Sequence, residues 1–109
     1  MKVGDYVRTE IIGFNIQKIG KIKEIYSEDI IHTDVGTYDI TDIVKSSPNI
    51  IDLIKVGDYV NGCMVINKKD DTIQIIQLII PFDLKEKDIK SIVTKEMFSQ
   101  MEYKLWKMK

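Results

Sequence analysis

Two copies of one six-residue motif constrain this chain more than any other feature. The motif Lys2-Val3-Gly4-Asp5-Tyr6-Val7 recurs, residue for residue, at positions 55–60. Such self-similarity indicates a chain built from two copies of one structural unit. Glycine adopts a positive φ freely and aspartate can bond to its own downstream backbone, so Gly-Asp predicts a turn. The motif therefore predicts a turn followed by a strand, which opens at Tyr6 in the first copy and at Tyr59 in the second.

The remainder of each half consists of short β-branched segments separated by turn residues. In the first half, segments 30–34 and 37–40 predict a hairpin, and segment 41–44 predicts a single 3₁₀ turn. A looser echo of segment 38–44 occurs at 87–93, and it aligns Asp39 with Asp88 and Ile40 with Ile89.

In the second half, segments 62–67 and 72–80 predict two strands around a turn at 68–71. Short strands joined by tight turns favour a mainly β protein. We expect two tandem small barrels of the SH3-like or Tudor-like kind, with short helical turns and a short C-terminal helix.

The expected domain organisation follows from the repeat. The first barrel-like unit would span residues 1–47, and the second, with its C-terminal helix and tail, residues 55–109. Between them, residues 48–54 would form a linker with a short helical turn that Asn49 caps. Thr94 is the predicted N-cap of the C-terminal helix, whose apolar face would consist of Met97, Phe98 and Met101.

Isoleucines recur at every third position from Ile16 to Ile25, which is close to a helical period. Gly20 in the middle of this segment and the β-branched excess of the chain argue against a helix. We therefore expect two short strands with a break near Gly20.

Charge and cysteine content limit the function and the compartment. The net charge is −1, whereas a protein that grips a phosphate backbone usually has a strong basic excess. Cys63 is the only cysteine, so it can form neither an internal disulfide nor a zinc cage, and a reducing compartment is expected. The N-terminus shows no signal-peptide pattern, and no apolar stretch is long enough to span a bilayer. We expect a cytoplasmic protein.

Residue types that carry catalysis are sparse. His32 is the only histidine, and general base catalysis needs an orienting partner and a nucleophile that nothing in the sequence places beside it. A Cys63–His32 pair has no third member. The acidic residues do not match an EF-hand loop, and no glycine-rich loop has phosphate-binding spacing. The sequence therefore predicts no enzyme, no metal site and no cofactor.

Two segments resemble a group of small phage and prophage proteins. These segments are PNIIDLIKVGDYVNG at 48–62 and SIVTKEMFSQMEYK at 91–104. They are similar to accessory proteins encoded by phages and prophages of low-GC Gram-positive bacteria, for which no common activity is established. The resemblance implies a viral accessory protein that acts in the cytoplasm of a host cell. It carries over no catalytic residues, and the chain departs from the pattern at 73–82, which is more apolar.

This apolar segment is the strongest candidate for a binding surface. Residues 73–80 include six apolar side chains. The alternation of apolar positions changes phase between Ile75 and Ile76, which predicts a bulge. A strand sends alternate side chains to opposite faces, so both faces of this strand must be apolar. The second face is covered either within the chain, by the C-terminal helix, or by a partner, of which a two-fold homodimer is the simplest. The predicted partner-binding residues are Ile76, Leu78, Ile80 and Phe82.

The predicted function is a non-catalytic protein-interaction module that inhibits or redirects a host protein, a class that includes host-defence antagonists such as anti-CRISPR-type inhibitors. The alternative is a nucleic-acid-binding module, because lysines with aromatics can bind single strands by charge and stacking. The residues for this alternative are Lys104, Trp106, Lys107 and Lys109.

Overall fold

The computed structural model describes residues 1–11 and 16–97. It divides the chain into two units, Met1–Leu53 and Ile54–Lys109. Each unit contains one five-stranded antiparallel sheet, which confirms the mainly β fold class. In the described part of the chain neither sheet closes on itself, so the predicted barrels are seen only as two antiparallel sheets.

Unit 1 is a five-stranded sheet with the strand order β4-β3-β2-β1-β5. A 3₁₀ turn at Ile40–Asp42 precedes the last strand, and a second one at Ile50–Leu53 follows it. The strands are β1 (Tyr6–Ile11), β2 (Ile16–Ile25), β3 (Ile30–Thr33), β4 (Gly36–Asp39) and β5 (Ile43–Ser47).

Unit 2 repeats this arrangement, because its strand order β10-β6-β7-β8-β9 is that of unit 1 read from the other edge. A 3₁₀ turn at Glu86–Asp88 again precedes the last strand. The strands are β6 (Tyr59–Val60), β7 (Cys63–Lys68), β8 (Thr72–Gln77), β9 (Ile80–Lys85) and β10 (Ile92–Val93).

The repeated motif forms the same turn in both units. The Asp5 N–H donates to the Lys2 carbonyl at 3.0 Å, and the Asp58 N–H donates to the Lys55 carbonyl at 3.0 Å. The central glycines have φ values of 97° and 99°, which glycine adopts without steric cost. Each turn then docks on the second strand of its own sheet, since the glycine N–H donates to Ile22 in unit 1 and to Val65 in unit 2, both at 2.9 Å.

The looser echo in the sequence has a different register from the one we expected. Ile40–Asp42 and Glu86–Asp88 are the equivalent 3₁₀ turns, so Ile40 corresponds to Glu86 rather than to Ile89. The pairing of the last strands agrees with this shift, because Tyr6 pairs with Ser47 and Tyr59 with Val93. The expected alignment was therefore shifted by three residues toward the C-terminus of unit 2. Asp39 and Asp88 are both aspartates, but they do not occupy equivalent positions.

β2 is one continuous strand, so the expected break near Gly20 is wrong. Its first part pairs with β1 up to Lys21, and its last part pairs with β3 from Ile22 onward. Gly20 instead allows the β3–β4 turn to approach β2 closely. A Cβ at this position would lie 2.5 Å from Val35 Cγ2 and 2.8 Å from Asp34 Oδ1, both in the β3–β4 turn.

The segment after Ser47 belongs to unit 1 as far as Leu53. Asn49 Oδ1 accepts the Ile51 N–H at 3.1 Å, which confirms the predicted cap of this helical turn. Arg8, buried in β1, donates from Nη1 to the Leu53 carbonyl at 2.9 Å and from Nε to Gln17 Oε1 on β2. The second 3₁₀ turn is thus hydrogen-bonded to the sheet of unit 1.

Each unit has its own buried apolar side chains. In unit 1 a cluster of Val7, Ile22, Ile31 and Tyr38 packs with Ile43. In unit 2 the buried apolar residues are Ile54, Val60, Val65, Ile73 and Ile75.

The C-terminal helix begins where the sequence predicts it. Residues 95–97 are helical, and the buried Thr94 accepts the Met97 N–H on its Oγ1 at 3.3 Å. The continuation of the predicted helix through Phe98 and Met101 lies outside the described residues. Within the described part of the chain, no helix is long and apolar enough to cross a membrane.

Candidate functional site: an apolar hairpin tip

The segment predicted as one long strand is a hairpin. β8 ends at Gln77, Leu78 and Ile79 form a two-residue turn, and β9 begins at Ile80. The expected single strand over 72–80 is therefore wrong. So is the expected bulge at Ile75 and Ile76, because these residues pair regularly with β9, and the register shift lies on β7 between Val65 and Asn67.

The turn separates the four predicted partner-binding residues onto different faces. Ile80 pairs with Gln77 and Phe82 pairs with Ile75, so both lie on the face that carries the buried Ile75. Ile76 pairs with Pro81 and lies on the opposite face. The four residues alternate along the sequence as one face of one strand would, and the turn at Leu78 breaks that parity.

The end of this hairpin exposes a group of large apolar side chains. Leu78 is 90% exposed and Ile79 is 89% exposed, the two largest exposures among the apolar residues described. Ile80 and Phe82, at 54% and 45%, continue the group along β9. We call these four residues the hairpin tip. Ile79 was absent from the predicted partner-binding residues, which occupy every second position of the segment.

The turn conformation at the tip is unusual for its residues. Leu78 has a φ of 59°, in the region that favours glycine, and Ile79 has no positive φ. Another two-residue hairpin turn of unit 2, between β6 and β7, uses Asn61 and Gly62, with φ values of 53° and 82°. Asn-Gly is the ordinary choice for a two-residue hairpin turn, whereas Leu-Ile places two apolar side chains in water and strains one of them.

The hairpin tip lies in an uncharged stretch of chain. No charged residue occurs from Thr72 to Phe82, although charged residues make up 30% of the sequence. The nearest lysines on this hairpin and its neighbour, Lys68, Lys69 and Lys85, lie at its other end, where Thr72 pairs with Lys85.

The open edge of β9 offers few free backbone N–H groups for pairing with another strand. Residues that flank a two-residue turn exchange hydrogen bonds, so Gln77 and Ile80 face each other and the backbone groups of Pro81, Asp83 and Lys85 point toward the open edge. Pro81 has no N–H to offer. The Lys85 N–H already donates to Asp88 Oδ2 at 3.0 Å.

The two residues that were considered for chemistry belong to different units. His32 lies on β3 in unit 1, where its Nδ1 is 2.9 Å from Thr37 Oγ1 and its ring centroid is 5.9 Å from that of Tyr26. Cys63 opens β7 in unit 2 and is half-buried, with its Sγ 3.9 Å from the Asn61 carbonyl. Among the described residues, no group of three or more His, Cys, Asp or Glu side chains is arranged to hold a metal ion.

One carboxylate has a perturbed pKa. The Thr41 N–H donates to Asp39 Oδ1 at 3.0 Å and the Thr41 hydroxyl at 2.9 Å. Both bonds stabilise the charged form and lower the pKa of the Asp39 carboxyl below its usual value. This interaction begins the 3₁₀ turn before β5, so its role is structural.

A small cavity of about 50 Å³ lies at the end of the β7–β8 hairpin that is remote from the tip. It is bordered by Asn67, Lys68, Lys69, Thr72, Ile73, Gln74 and Asp83. The four residues of the nucleic-acid alternative, Lys104, Trp106, Lys107 and Lys109, lie outside the described residues.

Comparisons with protein families, with curated proteins and with solved structures find no match to this chain. The class that fold and site define is thus a two-unit antiparallel β protein with an exposed apolar hairpin tip.

Proposed function

We propose that this protein is a non-catalytic protein-interaction module that binds its partner through the hairpin tip. The observation that carries the proposal is the nearly complete exposure of Leu78 and Ile79 at a turn where Leu78 has a positive φ. Exposed contiguous apolar groups mark binding surfaces, and backbone strain concentrates at functional sites. A solvent-exposed turn without a binding role has no use for either feature.

The size of the tip sets the affinity it can supply. Fully burying one leucine or isoleucine side chain contributes roughly 1.5–3 kcal/mol, so Leu78 and Ile79 together contribute about 3–6 kcal/mol. A millimolar to micromolar complex has a net binding free energy of roughly 4–8 kcal/mol, which remains after the cost of lost translational and rotational freedom. The tip can therefore anchor a complex, and a tight one would need additional contacts from Ile80, Phe82 and their surroundings.

The resemblance to phage and prophage accessory proteins extends the proposal to the partner. In that setting the partner is a protein of the bacterial host in the cytoplasm, and binding inhibits or redirects it. We also propose that each unit is a small SH3-like barrel, which is supported by five antiparallel strands and tight turns in the same order in both units.

The test is a comparison of three baits in an extract of a low-GC Gram-positive bacterium. The baits are the full wild-type chain, a Leu78→Asp/Ile79→Asp variant, and a Val56→Asp control, since Val56 is also an exposed apolar residue of unit 2, at 55%. We expect a host protein that the wild type and the control retain, and that the tip variant loses at least about tenfold.

Salt distinguishes the proposed contact from nucleic-acid binding. An apolar contact persists as salt rises, whereas retention through phosphate falls steeply with the logarithm of salt concentration. If all three baits retain the same proteins, or if retention disappears after nuclease treatment, the hairpin tip is not the binding surface.

A further inference from the structure

The hairpin tip also bears on what this protein does in the absence of a host partner. Four large apolar side chains are exposed together on one hairpin end, namely Leu78, Ile79, Ile80 and Phe82. Every molecule in solution carries the same group, so a second copy is the one partner that is always present. Whether two tips can pair depends on charge, on the available contact mode and on area.

The absence of charge favours pairing of the hairpin tip with the hairpin tip of a second copy. Across a two-fold axis each residue meets the same patch of the other copy, so a charged patch repels itself. Residues 72–82 contain no charge, and nothing in this stretch opposes a second copy. The same neutrality disfavours an anionic membrane or a nucleic acid, because both attract lysine and arginine, and the lysines of this hairpin lie at its other end.

The contact mode follows from the edge of β9. Pairing of two copies by strand addition would need free donors along this edge. Of the three residues whose backbone faces this edge, Pro81 has no N–H, and the N–H of Lys85 is taken by Asp88 Oδ2 at 3.0 Å. Only Asp83 can then donate, and a single donor does not support strand addition. The contact that remains is between side chains, and it is closed, because an isologous patch is used up by one partner.

The area of the contact determines the strength of the dimer. A stable interface involves about 20–30 residues a side, and the hairpin tip supplies four exposed apolar residues. An interface of this size forms a weak dimer that dissociates on dilution.

We infer that the hairpin tip pairs with the hairpin tip of a second copy in a weak two-fold dimer held by side chains. This inference goes beyond the proposed function, because it concerns the free protein. It also gives the self-pairing a consequence: a host protein that binds the tip competes with the second copy.

The first measurement is sedimentation equilibrium of the full chain from about 1 µM to about 1 mM, the range of dissociation constants for weak dimers. We expect a concentration-dependent approach to a dimer for the wild type. Ile79→Lys should raise the dissociation constant at least about tenfold, because it brings two like charges to the axis, and Val56→Lys should leave it unchanged.

The second measurement tests whether the two copies meet at the hairpin tip. In a Cys63→Ser background, Ile79→Cys should form a covalent dimer on mild oxidation, because a two-fold axis at the tip brings the new thiol next to its own copy. Asp71→Cys, at the exposed turn before β8, is the matched control and should crosslink at least about tenfold more slowly.

A folded wild-type monomer at every concentration, or equal crosslinking at positions 71 and 79, would overturn the inference. Neither result would touch the proposed binding of a host protein, which the bait comparison measures separately.

Discussion

Asp5 and Asp58 occupy the same place in the repeated turn, yet their surroundings differ. Asp5 is half-buried, and its Oδ2 accepts the Lys2 N–H at 3.0 Å. Asp58 is completely buried, and it accepts the Lys55 N–H at 2.8 Å on one oxygen and the Lys95 N–H at 3.0 Å on the other. In unit 2 the aspartate thus also holds the first residue of the C-terminal helix.

Asp58→Ala should therefore cost much more stability than Asp5→Ala. A hydrogen bond to a charged group contributes about 1.5–3 kcal/mol, and the part-buried N–H groups of Lys55 and Lys95 left without an acceptor add to the loss. We expect a loss of about 3 kcal/mol or more at Asp58 and about 1 kcal/mol at Asp5, measured by urea unfolding. Equal losses would show that the bond to Lys95 contributes nothing.

The positive φ of Leu78 makes a second prediction at the scale of single residues. A non-glycine residue in this region carries about 1–2 kcal/mol of steric cost, and glycine loses roughly 0.4–1 kcal/mol in unfolded-state entropy. Leu78→Gly should therefore raise the free energy of unfolding by up to about 1 kcal/mol, since its side chain is 90% exposed and contributes little packing.

Ile79→Gly is the matched control for this prediction. Ile79 is equally exposed but has no positive φ, so glycine brings only its entropic cost and stability should fall. Both variants are compared at concentrations low enough to keep the protein monomeric. A loss of stability at both positions would mean that Leu78 is not strained.

At the scale of elements, β2 shows how one glycine holds a long strand against a neighbouring turn. Gly20 lies where the β3–β4 turn passes over the strand, and Asp34 Oδ1 in that turn accepts the Lys21 N–H at 2.8 Å. A side chain at position 20 would have to displace both Val35 and Asp34. The turn and the strand are therefore tied at a point where only hydrogen fits.

Gly20→Ala should destabilise the protein by about 1–3 kcal/mol, the usual cost of overpacking. The double variant Gly20→Ala/Val35→Ala should recover part of this loss, because it removes the side chain whose Cγ2 would lie 2.5 Å from the new Cβ. Thermal or urea unfolding of the single and double variants provides the comparison. If the loss is the same with and without Val35, the contact is not its cause.

At the scale of the whole molecule, the net charge disfavours nucleic acid as the main partner. The chain has 16 basic and 17 acidic side chains, and its pI is about 5.8. Each neutralised phosphate contributes to affinity for a single strand and to its salt dependence, with a slope of about −0.7 per contact. The lysines at 104, 107 and 109 would have to supply such binding against a net negative chain.

We expect no saturable binding of a fluorescent single-stranded oligonucleotide at physiological salt in an anisotropy titration. The matched variant replaces Lys104, Lys107 and Lys109 with alanine. A measurable wild-type affinity that falls with salt and disappears in this variant would favour the nucleic-acid alternative instead.

Much of the local structure could be predicted from the sequence. The two Gly-Asp turns, the strands at Tyr6 and Tyr59, and the caps at Asn49 and Thr94 each depend on residues within a few positions of one another. Such features follow from backbone preferences and short-range hydrogen bonds, which a sequence displays directly.

The candidate site was predicted in its location but not in its geometry. Apolar excess in 73–82 pointed to the segment that contains the hairpin tip, yet no Gly, Asn or Asp marks the turn at Leu78 and Ile79. The turn therefore had no local signal, and the predicted residues were assigned to one face of a strand that does not exist.

The sequence alone determined that this chain is a mainly β protein with a repeated unit, because the motif and the β-branched excess are local properties. Only the tertiary structure decided that β2 runs through Gly20, that Arg8 is buried on Gln17 and Leu53, and that Leu78 and Ile79 reach into solvent. Each of these depends on which distant segment lies alongside. Close approach, burial and strain are properties of packed neighbours, and the order of residues along the chain does not contain them.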